Sequence, residues 1–367
     1  MKAFAIGAVA AAASFAAAAQ SSVTLFGVVD AGVARVSATG KGHVDGLMTG
    51  GNYTSRLGFR GVEDLGGGMA ASFWLEGETA TDVGTSAGLN FVRRSTVSLS
   101  GRWGELRLGR DYTANYVPFL SFDVYGQRGI GTIEHFATAA GALTVNGAAA
   151  SDIRNSNSVT YFLPANLGGV YGNLQYAFGE RSSSTVASAT ASKKQGNYAG
   201  ASLGYASGPL NIGGGYGNFS DVSRAAAYLT DYSIGSLGAS YDFGFIKPIF
   251  LYQTERADGK LGQPDFKFDT IAIALSAPFG ASTVRATYHS YNNKTAGTAG
   301  NNDAAKLSLG YVYNLSKRTA LYADVARLRN KGSASFVIGG LGGSVVAGAP
   351  TAGGTSTAFG VGIRHSF

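Results

Sequence analysis

Phe359-Gly360-Val361-Gly362-Ile363-Arg364-His365-Ser366-Phe367 closes the chain. Phe359, Val361, Ile363, His365 and Phe367 fall on one face, and small or polar residues on the other. Period-two alternation marks a β-strand whose faces meet two different environments. No turn follows this strand, so its neighbour must come from elsewhere in the chain. In a closed barrel that neighbour includes the first strand, and closure removes the unpaired edges. The first strand has the matching pattern. Val23, Leu25, Gly27, Val29, Ala31 and Val33 share one face, against Thr24, Phe26, Val28 and Asp30. Asp30 is costly in hydrocarbon, so its face should turn to water.

Composition agrees with a barrel. Among 367 residues there are 55 Gly, 19 Tyr and 21 Phe, but only 7 Pro and no Cys. Charged residues make up 14%, against roughly 25% in a soluble domain. Apolar residues are spread along the chain rather than gathered in blocks, as strands apolar on alternate residues require. The lack of Cys excludes a disulfide framework and thiolate metal sites. The formal charge is +7, with the basic residues dispersed. A nucleic-acid module would concentrate them; a positively biased interior fits better.

Residues 1–19 read as a secretory signal peptide, with Lys2, an apolar run, and Ala17-Ala18-Ala19 before Gln20. No later run is long and apolar enough for a spanning helix. Residues 20–367 then form one domain of recurring strands. Leu57 and Phe59 oppose Arg56, Gly58 and Arg60. After the Gly66-Gly67-Gly68 turn, Phe73 and Leu75 oppose Trp74, Glu76 and Glu78. Val97 and Leu99 oppose Arg94, Thr96 and Ser98, and Leu106 and Leu108 oppose Glu105 and Arg107. Short turns alternate with long polar connections, as in an outer-membrane barrel. The count reaches sixteen strands. Tyr112 to Ile153 is the longest irregular early segment, and Lys331 to Thr355 is a second, rich in Gly, Ala and Ser. Tyr53, Tyr161, Tyr176, Tyr241, Tyr313, Tyr322 and Phe367 lie near strand ends and suggest aromatic girdles.

Several stretches resemble the Gram-negative general porins of the betaproteobacterial (Bordetella, Burkholderia and Neisseria) type. They are Ser21 to Asp30, Ser55 to Gly68, Phe91-Val92-Arg93-Arg94, Leu106 to Arg110, Arg154 to Tyr161, Gly310 to Thr319 and the terminal Phe367. The resemblance covers essentially the whole chain after residue 19. It implies an all-β, sixteen-stranded antiparallel transmembrane β-barrel, usually a homotrimer, whose third external loop folds inward to constrict the pore. That loop is here Tyr112 to Ile153. It has Pro118-Phe119-Leu120-Ser121-Phe122-Asp123 where enterobacterial porins have a Pro-Glu-Phe-Gly-Gly type sequence.

A pore acts by electrostatics, since charge in a narrow aqueous lumen biases which ions enter. Arg56, Arg60, Arg94, Arg107 and Arg154 hold water-facing positions and are the candidate basic wall. Arg110 has the parity of Leu106 and Leu108, but a bulge at the strand end could turn it inward. Asp123 and Glu134 on the long loop are the candidate acidic set. Some of these arginines could instead pair with Glu76 or Glu78 and only hold the wall together.

Signals for catalysis are poor. Gly200-Ala201-Ser202-Leu203-Gly204 fits the nucleophile-elbow spacing, but it lies in an alternating strand. His43, His135, His289 and His365 lack metal-ligand spacing. The reading is an outer-membrane general diffusion porin for ions and small hydrophilic solutes, preferring anions, with no cofactor and no metal. Its partners would be outer-membrane lipid and lipopolysaccharide, and no nucleic acid. The alternatives are a solute-specific channel and a plugged barrel acting as enzyme or adhesin.

Overall fold

The computed structural model describes residues 22–84, 90–133, 143–145, 148–149, 153–188, 191–224, 228–295, 302–339 and 345–367. The expected signal peptide lies outside the described residues. β1 is Ser22–Ala38. β2 runs in two pieces, Gly42–Thr49 and Arg56–Gly66. β3 to β6 are Met69–Glu78, Arg94–Gly101, Gly104–Tyr112 and Arg154–Phe162. β7 to β10 are Val170–Ala177, Tyr198–Ser207, Leu210–Arg224 and Tyr228–Tyr241. β11 to β16 are Lys247–Gly259, Phe266–Phe279, Ser282–Asn293, Ala304–Asn314, Thr319–Asn330 and Thr355–Ser366. Each pairs antiparallel with its sequence neighbour, and a six-residue helix, α1 (Tyr116–Ser121), follows β5.

The last strand closes the barrel on the first. β16 pairs with β1 from Val28↔Ser366 to Ala38↔Ser356, and Phe367 and Gly27 exchange backbone hydrogen bonds of 3.0 and 3.1 Å. A closed sheet leaves no edge for hydrocarbon to meet. The Phe367 ring packs over Gly27, where an added Cβ would lie 2.4 Å from the ring. Alternation is retained around the wall. Val23, Leu25, Val97, Leu99, Leu106, Leu108, Val361 and Ile363 are exposed, while Asp30, Glu76, Thr96 and Ser98 are buried.

The aromatic girdle needs a correction. Tyr176, Tyr241, Tyr313 and Phe367 are exposed on the outside. Tyr322 instead points inward, 3% exposed, and its hydroxyl donates to Asp30 Oδ1 at 2.6 Å. Tyr53 stacks on Arg56 at 4.4 Å. Proximity to a strand end cannot distinguish the two faces, whereas parity can.

Asp30 anchors the break in β2. Its carboxylate accepts the backbone N–H groups of Gly51, Asn52 and Tyr53 at 3.0, 3.0 and 2.8 Å. Three amides and a phenol satisfy a carboxylate that is 0% exposed, as a buried charge requires.

The segment after β5 lies against the inward faces of β8 to β12. The Tyr198 hydroxyl donates to Asn115 Oδ1 at 2.7 Å, and Gln175 bridges the Ala114 N–H and the Tyr112 carbonyl. Tyr116, Phe119 and Phe122 pack on Ile249, Leu251, Ala272 and Ala274. A glycine floor admits this close approach. A Cβ on Gly238 would lie 2.0 Å from the Phe122 ring, and one on Gly215 would lie 3.1 Å from the Ala114 carbonyl. The far end of the segment is held by Lys306, whose ammonium donates to the Ile130 carbonyl at 3.1 Å. At Gly129, φ is +73° and a Cβ would meet the Gly51 carbonyl at 1.9 Å, so the segment also touches the break in β2. The late connection folds inward too, with Ile338 and Val345 fully buried beside Val36, Met48 and Leu328.

Gly238→Leu should displace Phe122 while leaving the wall intact. The expected outcome is a barrel that still shifts on gels when heated but has a larger unit conductance. Unchanged conductance would mean that the segment does not need this floor.

Candidate ion-selective constriction

Register gathers residues far apart in sequence into one patch of the inner wall. Across β2 and β3, Arg56 pairs with Glu78, Gly58 with Glu76 and Arg60 with Trp74. Glu76 then faces Arg94, Ser98 faces Arg107 and Tyr112 faces Arg154. Four strands, β2 and β4 to β6, therefore present guanidinium groups to one side of the interior, with the carboxylates of β3 between them. Arg128 approaches from the inward segment, 3.6 Å from Glu78.

Five of these guanidinium groups lie on aromatic rings. Arg56 stacks on Tyr53 at 4.4 Å, Arg94 on Trp74 at 4.7 Å, Arg107 on Phe162 at 4.1 Å and Arg154 on Tyr112 at 4.4 Å. Arg60 lies 5.4 and 5.2 Å from the Phe26 and Trp74 ring centres. Such cation–π contacts hold the planar groups flat while keeping their charge.

Carboxylates brace the array. Glu76 accepts from Arg56 at 2.9 Å and from Arg93 at 2.6 Å. Asp111 accepts from Arg107 at 2.6 Å and lies 3.6 Å from Arg94, and Glu105 accepts from Arg107. Some of these arginines are paired across the wall, yet positive charge remains in excess there. Arg56, Arg60, Arg93, Arg94, Arg107, Arg128 and Arg154 face Glu76, Glu78, Glu105 and Asp111. Among the described residues, neither Arg60 nor Arg154 has a carboxylate within ion-pair distance. The Arg154 Nε donates to the Arg93 carbonyl at 2.8 Å.

Between wall and inward segment lies a cavity of about 560 Å³, lined among others by Tyr53, Arg56, Arg93, Tyr116, Arg128 and Arg154. A smaller one of about 190 Å³ lies between Trp74, Arg107, Val117 and Phe162. The site offers many guanidinium donors to a hydrated anion and, among the described residues, no assembled nucleophile. Ser202 sits inside β8, paired with Asn173 and Gly215.

Arg110 is placed differently from the other five candidates. Its guanidinium donates to the Val92 carbonyl and the Ser156 hydroxyl, beside the register shift between Gly109 and Asp111. Asp123 is 5% exposed and is used by the inward segment itself. It accepts the amides of Tyr125, Gln127 and Ile133 and the Thr132 hydroxyl. Burial pushes the nearby Tyr125 phenol above its ordinary pKa, so it remains a neutral donor. Glu134 lies outside the described residues. Arg93 was missed because its parity opposes that of Arg94. It precedes the strand, where parity does not apply, and is 3% exposed between Glu76 and Glu78.

Comparison with known proteins gives consistent results. A family profile described as Gram-negative porin matches residues 5–333. Outer membrane porin protein 32 of Delftia acidovorans is 42% identical over 358 residues, covering 97% of each chain. An outer membrane porin protein of Bordetella pertussis is 31% identical, covering 96% of each. The solved anion-selective porin from Comamonas acidovorans superposes with a TM-score of 0.84 at 41% identity, over 95% of this chain and 100% of that one. OmpT of Vibrio cholerae, solved in trimer form, shares the fold with a TM-score of 0.66 at 15% identity, over 95% and 99%.

Glu76→Gln should leave Arg56 and Arg93 without their shared negative charge and destabilise the folded barrel by about 1.5–3 kcal/mol, typical of a charged hydrogen bond. Thermal unfolding in detergent would show a lowered midpoint, whereas the exposed Glu63→Gln should leave it unchanged. Equal midpoints for both variants would contradict the bracing role.

Proposed function

We propose, for a chain that belongs to the Gram-negative porin family, that the arginine wall makes its channel prefer anions. The chain is an outer-membrane general diffusion porin of a Gram-negative bacterium, a passive channel and not an enzyme. The observation that carries the anion preference is the excess of arginines over carboxylates on β2 to β6, opposite the inward segment. In a narrow lumen with low-dielectric walls, that excess concentrates anions and repels cations. The 41% identical Comamonas porin, described as anion-selective, supports the same sign.

In this reading Arg56, Arg94, Arg107 and Arg154 form the basic wall, with Arg60 beside it and Arg110 at its margin. Guanidinium groups held flat on rings offer a hydrated anion several weak sites in succession, so it can leave as readily as it enters. Asp123 shapes the constricting segment, and Glu134 supplies acidic charge on it. Residues 1–19 act as a cleaved signal peptide and residues 20–367 as the barrel domain. Three copies assemble through outward apolar positions of β16 and β1, among them Val29, Val33, Val361 and Ile363, and outer-membrane lipid covers the remaining outer face.

The test is the zero-current potential of the purified protein in a planar bilayer across a KCl gradient. An anion-selective sign is expected, reduced several-fold by Arg94→Gln with Arg154→Gln. The preference should be strongest near 0.1 M salt, where the Debye length is about 10 Å, and fade near 1 M, where it is about 3 Å. Cation selectivity would overturn the assignment. Block by one solute at low concentration would turn the reading to a solute-specific channel.

A further inference from the structure

The larger cavity at the constriction has two unlike faces. Arg56 and Arg154 line it from the wall. Leu120 of α1 and Ile153, which directly precedes β6, line it from the inward segment, and both are half-buried. They pack on the cluster that holds Tyr116, Phe119 and Ile133, and their remaining surface is turned to the cavity. The smaller cavity repeats the arrangement, setting Val117 of α1 among Arg94, Arg107 and Arg154. A passage for hydrated inorganic ions alone gains nothing from aliphatic groups beside its charged wall, since apolar surface in a pore makes wetting costlier.

Arg154 supplies the charged half of a site. The Tyr112 ring holds its guanidinium flat at 4.4 Å, and its Nε donates to the Arg93 carbonyl at 2.8 Å. Among the described residues, its two terminal nitrogens have neither a hydrogen-bond acceptor nor a carboxylate within ion-pair distance. That leaves a planar fork suited to the two oxygens of a ligand carboxylate. The cavity, about 560 Å³, is several times larger than the roughly 150 Å³ that admits benzene in an apolar protein interior. A carboxylate at Arg154 therefore has space for an apolar body against Leu120 and Ile153.

We propose that the constriction favours aromatic carboxylates over chloride and over small aliphatic carboxylates. The carboxylate sits on Arg154, and the ring lies against Leu120 and Ile153. This rests on the reading of the channel as anion-preferring and names the class of anion it favours. Contact with one face of a ring is weak enough for release, so the site gives a preference in passage and not capture.

The test is the single-channel current of the wild-type protein in KCl as benzoate, acetate or benzylammonium is added. Benzoate should lower the current at about a tenth of the concentration acetate needs, the gain expected from burying part of a ring. Phenylacetate should act as benzoate does. Benzylammonium, with a similar ring and the opposite charge, and neutral benzyl alcohol should have no effect at those concentrations. Leu120→Ser with Ile153→Thr should bring benzoate to within about twofold of acetate, whereas Leu120→Met with Ile153→Val should keep the difference. Equal action of benzoate and acetate on a wild-type channel that still selects chloride would overturn this inference and leave the anion preference standing. Cation selectivity in KCl would overturn both. A difference that survives Leu120→Ser with Ile153→Thr, or an equal effect of benzyl alcohol, would also overturn the inference.

Discussion

In hydrocarbon there is no water to satisfy a backbone N–H or C=O, so every such group must find its partner within the chain. The pairing of β16 with β1 meets that requirement, and the rest of the architecture follows from it. Once the sheet is closed, its outer face must be apolar and its inner face is free to be polar. Connections can then be placed only at the two ends or inside. The segment from Thr113 to Ile133 lies inside, and the wall beneath it changes accordingly. Ile249 and Leu251 are apolar on the inner face of β11 because Phe119 and Phe122 cover them there. Gly215, Gly217 and Gly238 have no side chains where the segment comes closest.

The charged site depends on the same scaffold. Arginines 38 residues apart, Arg56 and Arg94, become neighbours because two hairpins set the register between them. Such a concentration of positive charge would be self-repelling without its acids and rings. Glu76 and Asp111 each serve two arginines, and aromatic faces hold the guanidinium planes. The bracing holds the wall together and leaves it a positive excess. Beside it, Asp30, Arg285 and Asp324 fix the break in β2 and the inward segment. Arg285 donates to Asn52 and Asp324 and lies over the Tyr125 ring at 4.3 Å.

Much of this is legible in the sequence because period-two alternation records directly which face a residue takes. Arg56, Arg94, Arg107 and Glu76 could be assigned to the inner face by parity alone, and adjacent hairpins bring them together. What parity does not encode is contact between distant segments. Asp123 reads as a free acid until Thr132 and the amide of Ile133 are seen to fold back onto it. Tyr322 reads as a girdle residue until Asp30, 292 positions away, accepts its hydroxyl proton. Arg93 escapes notice because it sits where the alternating rule has not yet begun. The glycine floor is hidden as well, since in a glycine-rich strand nothing local marks which glycine a loop will press against.

The central claim is that the lumen beside Leu120 is an open aqueous path with a positive potential. The chain contains no cysteine, so a single one at Leu120, which lines the larger cavity, would report on that path alone. The measurement is the rate at which small anionic and cationic thiosulfonates of similar size modify this cysteine, followed by the fall in channel current. Faster reaction of the anionic reagent, with the ratio collapsing in 1 M salt, is the predicted result. Equal rates at low salt, or faster reaction of the cationic reagent, would contradict a positively biased constriction.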